Sequence, residues 1–199
     1  MKTLNQSRRE FLGTSVATTV TAFAAVTILL PASSALADTV PTCAPPKNVT
    51  PSEEIIQNLR DLKNIWHGFP VDQLTHALQT ATLAKRAGES SEMIVAALCH
   101  DMAKTISAFN HEEMAAEMLK PYVSSDVFNM LKYHGIFQGR FFWDEIDRDP
   151  NTYLKFRDQA WYDLAMKFTE IYDKPAFKTN ADFDSLEKFI PIIFDVVGV

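Results

Sequence analysis

An all-α bundle with a metal site in its core is the fold class this sequence predicts, and three observations predict it. Beyond residue 50 apolar residues recur at three- and four-residue spacing, with no sustained period-2 alternation and no Asn-Gly hairpin signal. Helix-opening sequences punctuate the same region, at Thr50-Pro51-Ser52-Glu53, Asn110-His111-Glu112-Glu113 and Asp184-Ser185-Leu186-Glu187. Four of the five histidines and two aspartates are spread over these helices, as His76, His100-Asp101, His111, His134 and Asp163. Imidazole and carboxylate are the ligands that borderline and hard transition metals prefer.

The N-terminus reads as a targeting segment. Ser7-Arg8-Arg9-Glu10-Phe11-Leu12 precedes a mildly apolar stretch from Gly13 to Leu30 and then Ala35-Leu36-Ala37, a small-x-small cleavage site. Paired arginines before Glu-Phe-Leu predict a twin-arginine export signal over residues 1–37; a plain secretory signal or a retained anchor is the alternative. Export by that machinery would leave a periplasmic or otherwise extracytoplasmic protein with no stable membrane insertion after cleavage. Losing Lys2, Arg8, Arg9 and Glu10 takes the formal charge from -6 to -8, so nucleic acid and anionic membrane are poor partners. Cys43 and Cys99 are too few for a disulfide framework and read as unpaired thiols.

Residues 38–49 lack periodicity and read as a linker, leaving 50–199 as one helical domain. Thr50 caps a first helix that should run to about Trp66, with Pro51 at the first helical position and Glu53 closing a capping box. A second helix from near Asp72 carries His76 and stops at Gly88. The third, from about Ser91 to Lys104, is apolar almost all round and reads as the central core helix. Neighbouring helical side chains diverge by about 100°, so His100 and Asp101 do not share one narrow stripe. Burying Asp101 there alone would cost several kcal/mol, which a cation removes.

Asn110 and Glu113 form a second predicted capping box, opening a helix with His111 at its first position and Pro121 beyond its end. Ser124 or Ser125 opens a fifth helix through Val127, Phe128 and Leu131 to His134, expected to stop at Gly135. An aromatic loop, 136–148, precedes a long predicted helix from Asn151 to Tyr172 that presents Leu154, Trp161, Leu164 and Phe168 inward with Asp163 among them. A last helix follows Asp184 and is expected to bend at Pro191. Together His76, His100, Asp101 and Asp163 suit one metal, His111 and His134 suit a second, and Asp101 at the centre would bridge them.

In this order the six residues resemble the HD-domain superfamily, named for its His-Asp doublet, and the extra pair His111 and His134 resembles its dinuclear branch. His100-Asp101-Met102-Ala103-Lys104 and Asp163-Leu164-Ala165-Met166-Lys167 resemble two segments of myo-inositol oxygenase whose lysines face the substrate. His111-Glu112-Glu113 with Ala115-Ala116 is similar to the His-Glu-x-x-Ala helix of the organophosphonate-cleaving HD oxygenases. The chain departs from those patterns at Ala103, where glycine is usual, at Gly135, where a serine contacts substrate, and between Val49 and His76, where a lid tyrosine is missing.

The resemblance implies a metal-dependent enzyme acting on a small polar or anionic substrate. One reading is a mixed-valent di-iron oxygenase that cleaves a C-C or C-P bond; the other is a phosphohydrolase using manganese or another divalent metal on phosphomonoesters or phosphodiesters. A non-catalytic metal-binding protein is the third. Expected catalytic residues are Asp101, Lys104 and Lys167, and Lys104, Lys167 and Arg140 are the expected substrate contacts, since a lysine suits an apolar core only when an anion or hydroxyl meets it.

Overall fold

The structure, a computed structural model, describes residues 48–198, so the export signal, most of the linker and Cys43 lie outside the described residues. Among the described residues every regular element is helical. Helix α1 (Pro51–Asp61) begins as its sequence dictates: Thr50 is extended, its hydroxyl accepts from Glu53 N, and Glu53 accepts from Thr50 N at 2.8 Å. It ends at Asp61, not near Trp66. Asn64, His67 and Gly68 take φ of 67°, 43° and 82°, a left-handed run that no helix accommodates.

Asp72 caps α2 (Gln73–Arg86) through Thr75 N at 2.8 Å. Gly88, at φ 76°, turns the chain to Ser90, which caps α3 (Ser91–Cys99). All seven residues from Met93 to Cys99 are buried. The helix stops there, short of the expected Lys104, and a 3-10 turn over Met102–Thr105 follows.

The second capping box does not form. Asn110 makes no side-chain cap to α4 (His111–Leu119), and Glu113 instead lies 3.9 Å from Lys132. Ser124 caps α5 (Ser125–Gln138), which runs through Gly135 rather than ending at it. A Cβ at Gly135 would stand 2.0 Å from Glu112 Oε1, so the glycine leaves the room that this carboxylate occupies against α5.

The long helix predicted from Asn151 is broken up. A 3-10 turn covers Thr152–Phe156, α6 begins only at Tyr162 (Tyr162–Lys167), and π-helical turns continue over Phe168–Asp173, with Lys174 N donating to Thr169 O five residues back at 3.0 Å. Helix α7 (Leu186–Val197) contains Pro191. Central α3 packs on α2, α5 and α7, α4 lies along α5, and α1 closes on α7. No described helix is long and apolar enough to cross a membrane.

Candidate metal centre

The break after Cys99 is what lets two adjacent residues serve one site. His100 keeps helical dihedrals while Asp101 takes φ -105° and ψ 3°, so successive side chains no longer diverge as on a helix and both turn into the core. His76 from the first turns of α2, His111 from the start of α4 and His134 from α5 meet them, all buried.

Each imidazole is oriented by its Nδ1. Nδ1 of His76, His100, His111 and His134 lies 3.0, 2.8, 2.9 and 2.7 Å from the carbonyl oxygens of Ala176, Ala97, Ala108 and Leu131. A carbonyl only accepts, so Nδ1 carries the proton and every Nε2 offers a lone pair toward the cluster. Nε2 of His76 and of His100 are 3.1 Å apart. Two ligands at right angles on one first-row ion, with bonds of about 2.1 Å, stand about 3 Å apart.

The carboxylate expected from Asp163 comes from elsewhere. Asp163 is exposed in the first turn of α6, whereas Asp173, at the end of the π-helical turns, is fully buried with Oδ1 3.2 Å from His76 Nε2 and 3.7 Å from His100 Nε2. Asp101 divides its oxygens between two groups of nitrogens. Oδ2 lies 3.5 and 3.3 Å from His76 and His100, and Oδ1 lies 2.9 and 3.6 Å from His111 and His134.

These residues fit metal ions. With Nδ1 protonated throughout, Nε2 atoms and carboxylate oxygens face one another as acceptors, and Asp101 Oδ1 and Asp173 Oδ1 are buried without a hydrogen-bond partner. His76, His100 and Asp173 form one potential ligand set, and His100, Asp101 and His134 another. Burial acts to raise the Asp101 carboxyl, but His100, the Lys104 ammonium and His111 override it and hold it well below the usual carboxylate range. Burial acts to lower His134, yet Asp101, Asp173 and Glu112 raise it above the ordinary imidazole value. Two ionised carboxylates against one lysine leave the cluster short of positive charge, which divalent cations supply.

Around the ligands, Lys104 Nζ donates to Asp101 Oδ2 at 2.6 Å and to Gln73 Oε1 at 3.2 Å. Lysine has no acceptor, so the Gln73 oxygen must face it, and Gln73 Nε2 is left buried without a partner. Gln138 Nε2 donates to Asp173 Oδ2 at 2.9 Å, and the Phe177 ring stacks on His76 with centroids 3.9 Å apart.

The other expected substrate contacts do not touch the ligand cluster, although Arg140 lies over the Phe141 ring, 4.4 Å from its centroid. Lys167 pairs with Glu89 at 2.5 Å, beyond the end of α2 opposite His76, and Arg86 lies ten residue steps along the helix from His76, about 15 Å of axis. Arg140 spends its guanidinium on Glu170 at 3.2 Å and the Met166 carbonyl at 3.3 Å. Asp173, Gln73, Gln138 and Phe177 escaped the sequence reading. The four-residue spacing of Thr169 and Asp173 just before Pro175 is the trace that the sequence carries of the buried carboxylate.

Residues 74–155 match the model of the HD domain, and that matched segment carries His76, His100, Asp101, His111 and His134. Over 78 residues it is 36% identical to a 1-hydroxy-2-(trimethylamino)ethylphosphonate dioxygenase (glycine-betaine-forming) of Leisingera caerulea. That match covers 34% of this chain and 40% of the relative, so the chain spans less than half of the relative's length. Within these bounds the chain carries an HD-domain segment with a candidate metal centre and resembles a phosphonate dioxygenase over the matched residues.

Proposed function

We propose that the chain is a dinuclear iron oxygenase that cleaves the C-P bond of a small organophosphonate. The division of Asp101 between two nitrogen groups carries this reading, because one carboxylate facing His76 and His100 with one oxygen and His111 and His134 with the other suits a bridge between two ions. The phosphonate dioxygenase relative supports the reaction class. Two irons bound there would supply the redox chemistry with O2 that the protein's own side chains lack.

The chain's residues do the rest. His76, His100, His111 and His134 turn Nε2 toward the ions because Nδ1 of each is committed to a carbonyl. Asp173 completes the His76 side. Lys104 has used two of its three N–H bonds, on Asp101 and Gln73, and the third is free to hold a phosphonate oxygen. Asp101 lies at 2% exposure, so bulk water is kept from the cluster.

Metal content and O2 uptake of the chain purified without chelator test the reading. Two irons per chain with O2 consumption on a phosphonate are expected; phosphate release from phosphoesters without O2 consumption would assign the chain to the phosphohydrolases instead. Export by the twin-arginine route is proposed from Arg8-Arg9 and the segment after it. Periplasmic recovery that is lost on changing Arg8 and Arg9 to Lys is the expected result of cell fractionation.

A further inference from the structure

We infer that a small aromatic chamber beside the metal centre receives the part of the substrate that does not react, and that it selects an apolar chain ending in an anion over one ending in a quaternary ammonium. The inference deepens the phosphonate reading and rests on it. The chamber, of about 240 Å3, is lined by Phe69, Phe141, Phe142, Phe177, Gln138 and Lys174. Two of these residues touch the proposed ligands directly: Phe177 stacks on His76, and Gln138 donates to Asp173. Phe69 in turn stacks on Phe177 with centroids 4.5 Å apart. A group placed at the cluster therefore has this chamber as its neighbour.

Four phenylalanines would ordinarily suit a trimethylammonium group, since ring faces attract cations. Here the protein's own cations already occupy two of the four rings. Lys174 Nζ stands 3.9 Å over the Phe141 centroid, and Lys104 Nζ stands 5.8 Å over that of Phe69. An entering cation would meet both lysines and compete for Phe141 with Lys174 and with Arg140, whose Cζ is 4.4 Å from that centroid. An alkyl chain of a few carbons would lose water against the rings, and a carboxylate at its end would reach the exposed Lys174 ammonium. Charge and apolar lining thus name the same class, an alkylphosphonate with a second anionic group at its far end.

Calorimetric titration of the metal-loaded full chain tests this with four probes: methylphosphonate, butylphosphonate, 4-phosphonobutyrate and 2-(trimethylammonio)ethylphosphonate. Butylphosphonate is expected to bind several-fold more tightly than methylphosphonate, and 4-phosphonobutyrate about threefold more tightly again. The ammonium-tailed probe is expected to bind most weakly of the three long ones. Lys174→Met, at an exposed position, should abolish the preference for 4-phosphonobutyrate over butylphosphonate. Phe141→Ala should weaken butylphosphonate about fivefold and leave methylphosphonate unchanged.

Equal affinity of all four probes, or tightest binding of the ammonium-tailed one, with methylphosphonate still bound, overturns the chamber while the phosphonate reading stands. Failure of methylphosphonate itself to bind overturns both.

Discussion

Lys104 and Lys167 each follow an aspartate within four residues, yet they end in opposite surroundings. Lys104 has a side chain 12% exposed and bonded to a buried carboxylate, whereas the side chain of Lys167 is 51% exposed and pairs with Glu89. The aspartates differ in the same way: Asp101 is buried and Asp163 is exposed. Spacing is nearly the same in the two segments. What differs is the backbone ahead of each: α3 breaks after Cys99 with its last residues in the core, while α6 starts at Tyr162 and leaves its first turn at the surface.

The sharpest way to break the comparison is at the aspartates. Asp101→Ala should lower affinity for both ions by more than about 100-fold, because it removes the shared carboxylate, and Asp163→Ala should leave metal content untouched. Asp173→Ala should deplete the ion on the His76 side and spare that on the His111 side. Metal analysis after dialysis checks all three, and a loss of iron in the Asp163 variant would restore that residue to the site.

The lysines come next. Lys104→Met should raise KM for a phosphonate about 10- to 100-fold, the worth of a hydrogen bond to a charged group, while Lys167→Met leaves steady-state kinetics unchanged. The Lys167 variant should instead lower Tm by no more than about 4 °C, as expected for one exposed ion pair.

The smallest effect is at Asp184, where Lys188 and Lys85 hold the carboxyl down to about 2. A depressed folded value against 3.8 unfolded means the pair stabilises fully above about pH 4 and is lost as pH falls through about 2. Lys85→Met should therefore lower the denaturant midpoint at pH 7 and match the parent near pH 2.

Much of this was legible because local chemistry decided it. Thr50 with Glu53, Asp72 and Ser124 cap their helices as their sequences announce, and the five expected ligands from His76 to His134 converge. Asp163 stands exposed although Trp161, Leu164 and Phe168 keep helical spacing around it, because residues 157–161 form turns and α6 begins only at Tyr162. The π-helical turns then carry the buried face past Tyr172 to Asp173, and no sequence period marks a five-residue hydrogen bond. Asn110 failed as a cap because its φ of -133° and ψ of 25° take it off the extended geometry a capping side chain needs.

The carbonyl anchors of the imidazoles divide the centre by how it must be assembled. His100, His111 and His134 are aimed by oxygens three residues back along the chain, so their direction is set as soon as the backbone around each takes its local form. His76 is aimed by Ala176, one hundred residues away, and Asp173 arrives on the same segment. One half of the centre is thus written into local backbone and closes early, whereas the other waits for the last long loop to be drawn in, with the entropy that such closure costs.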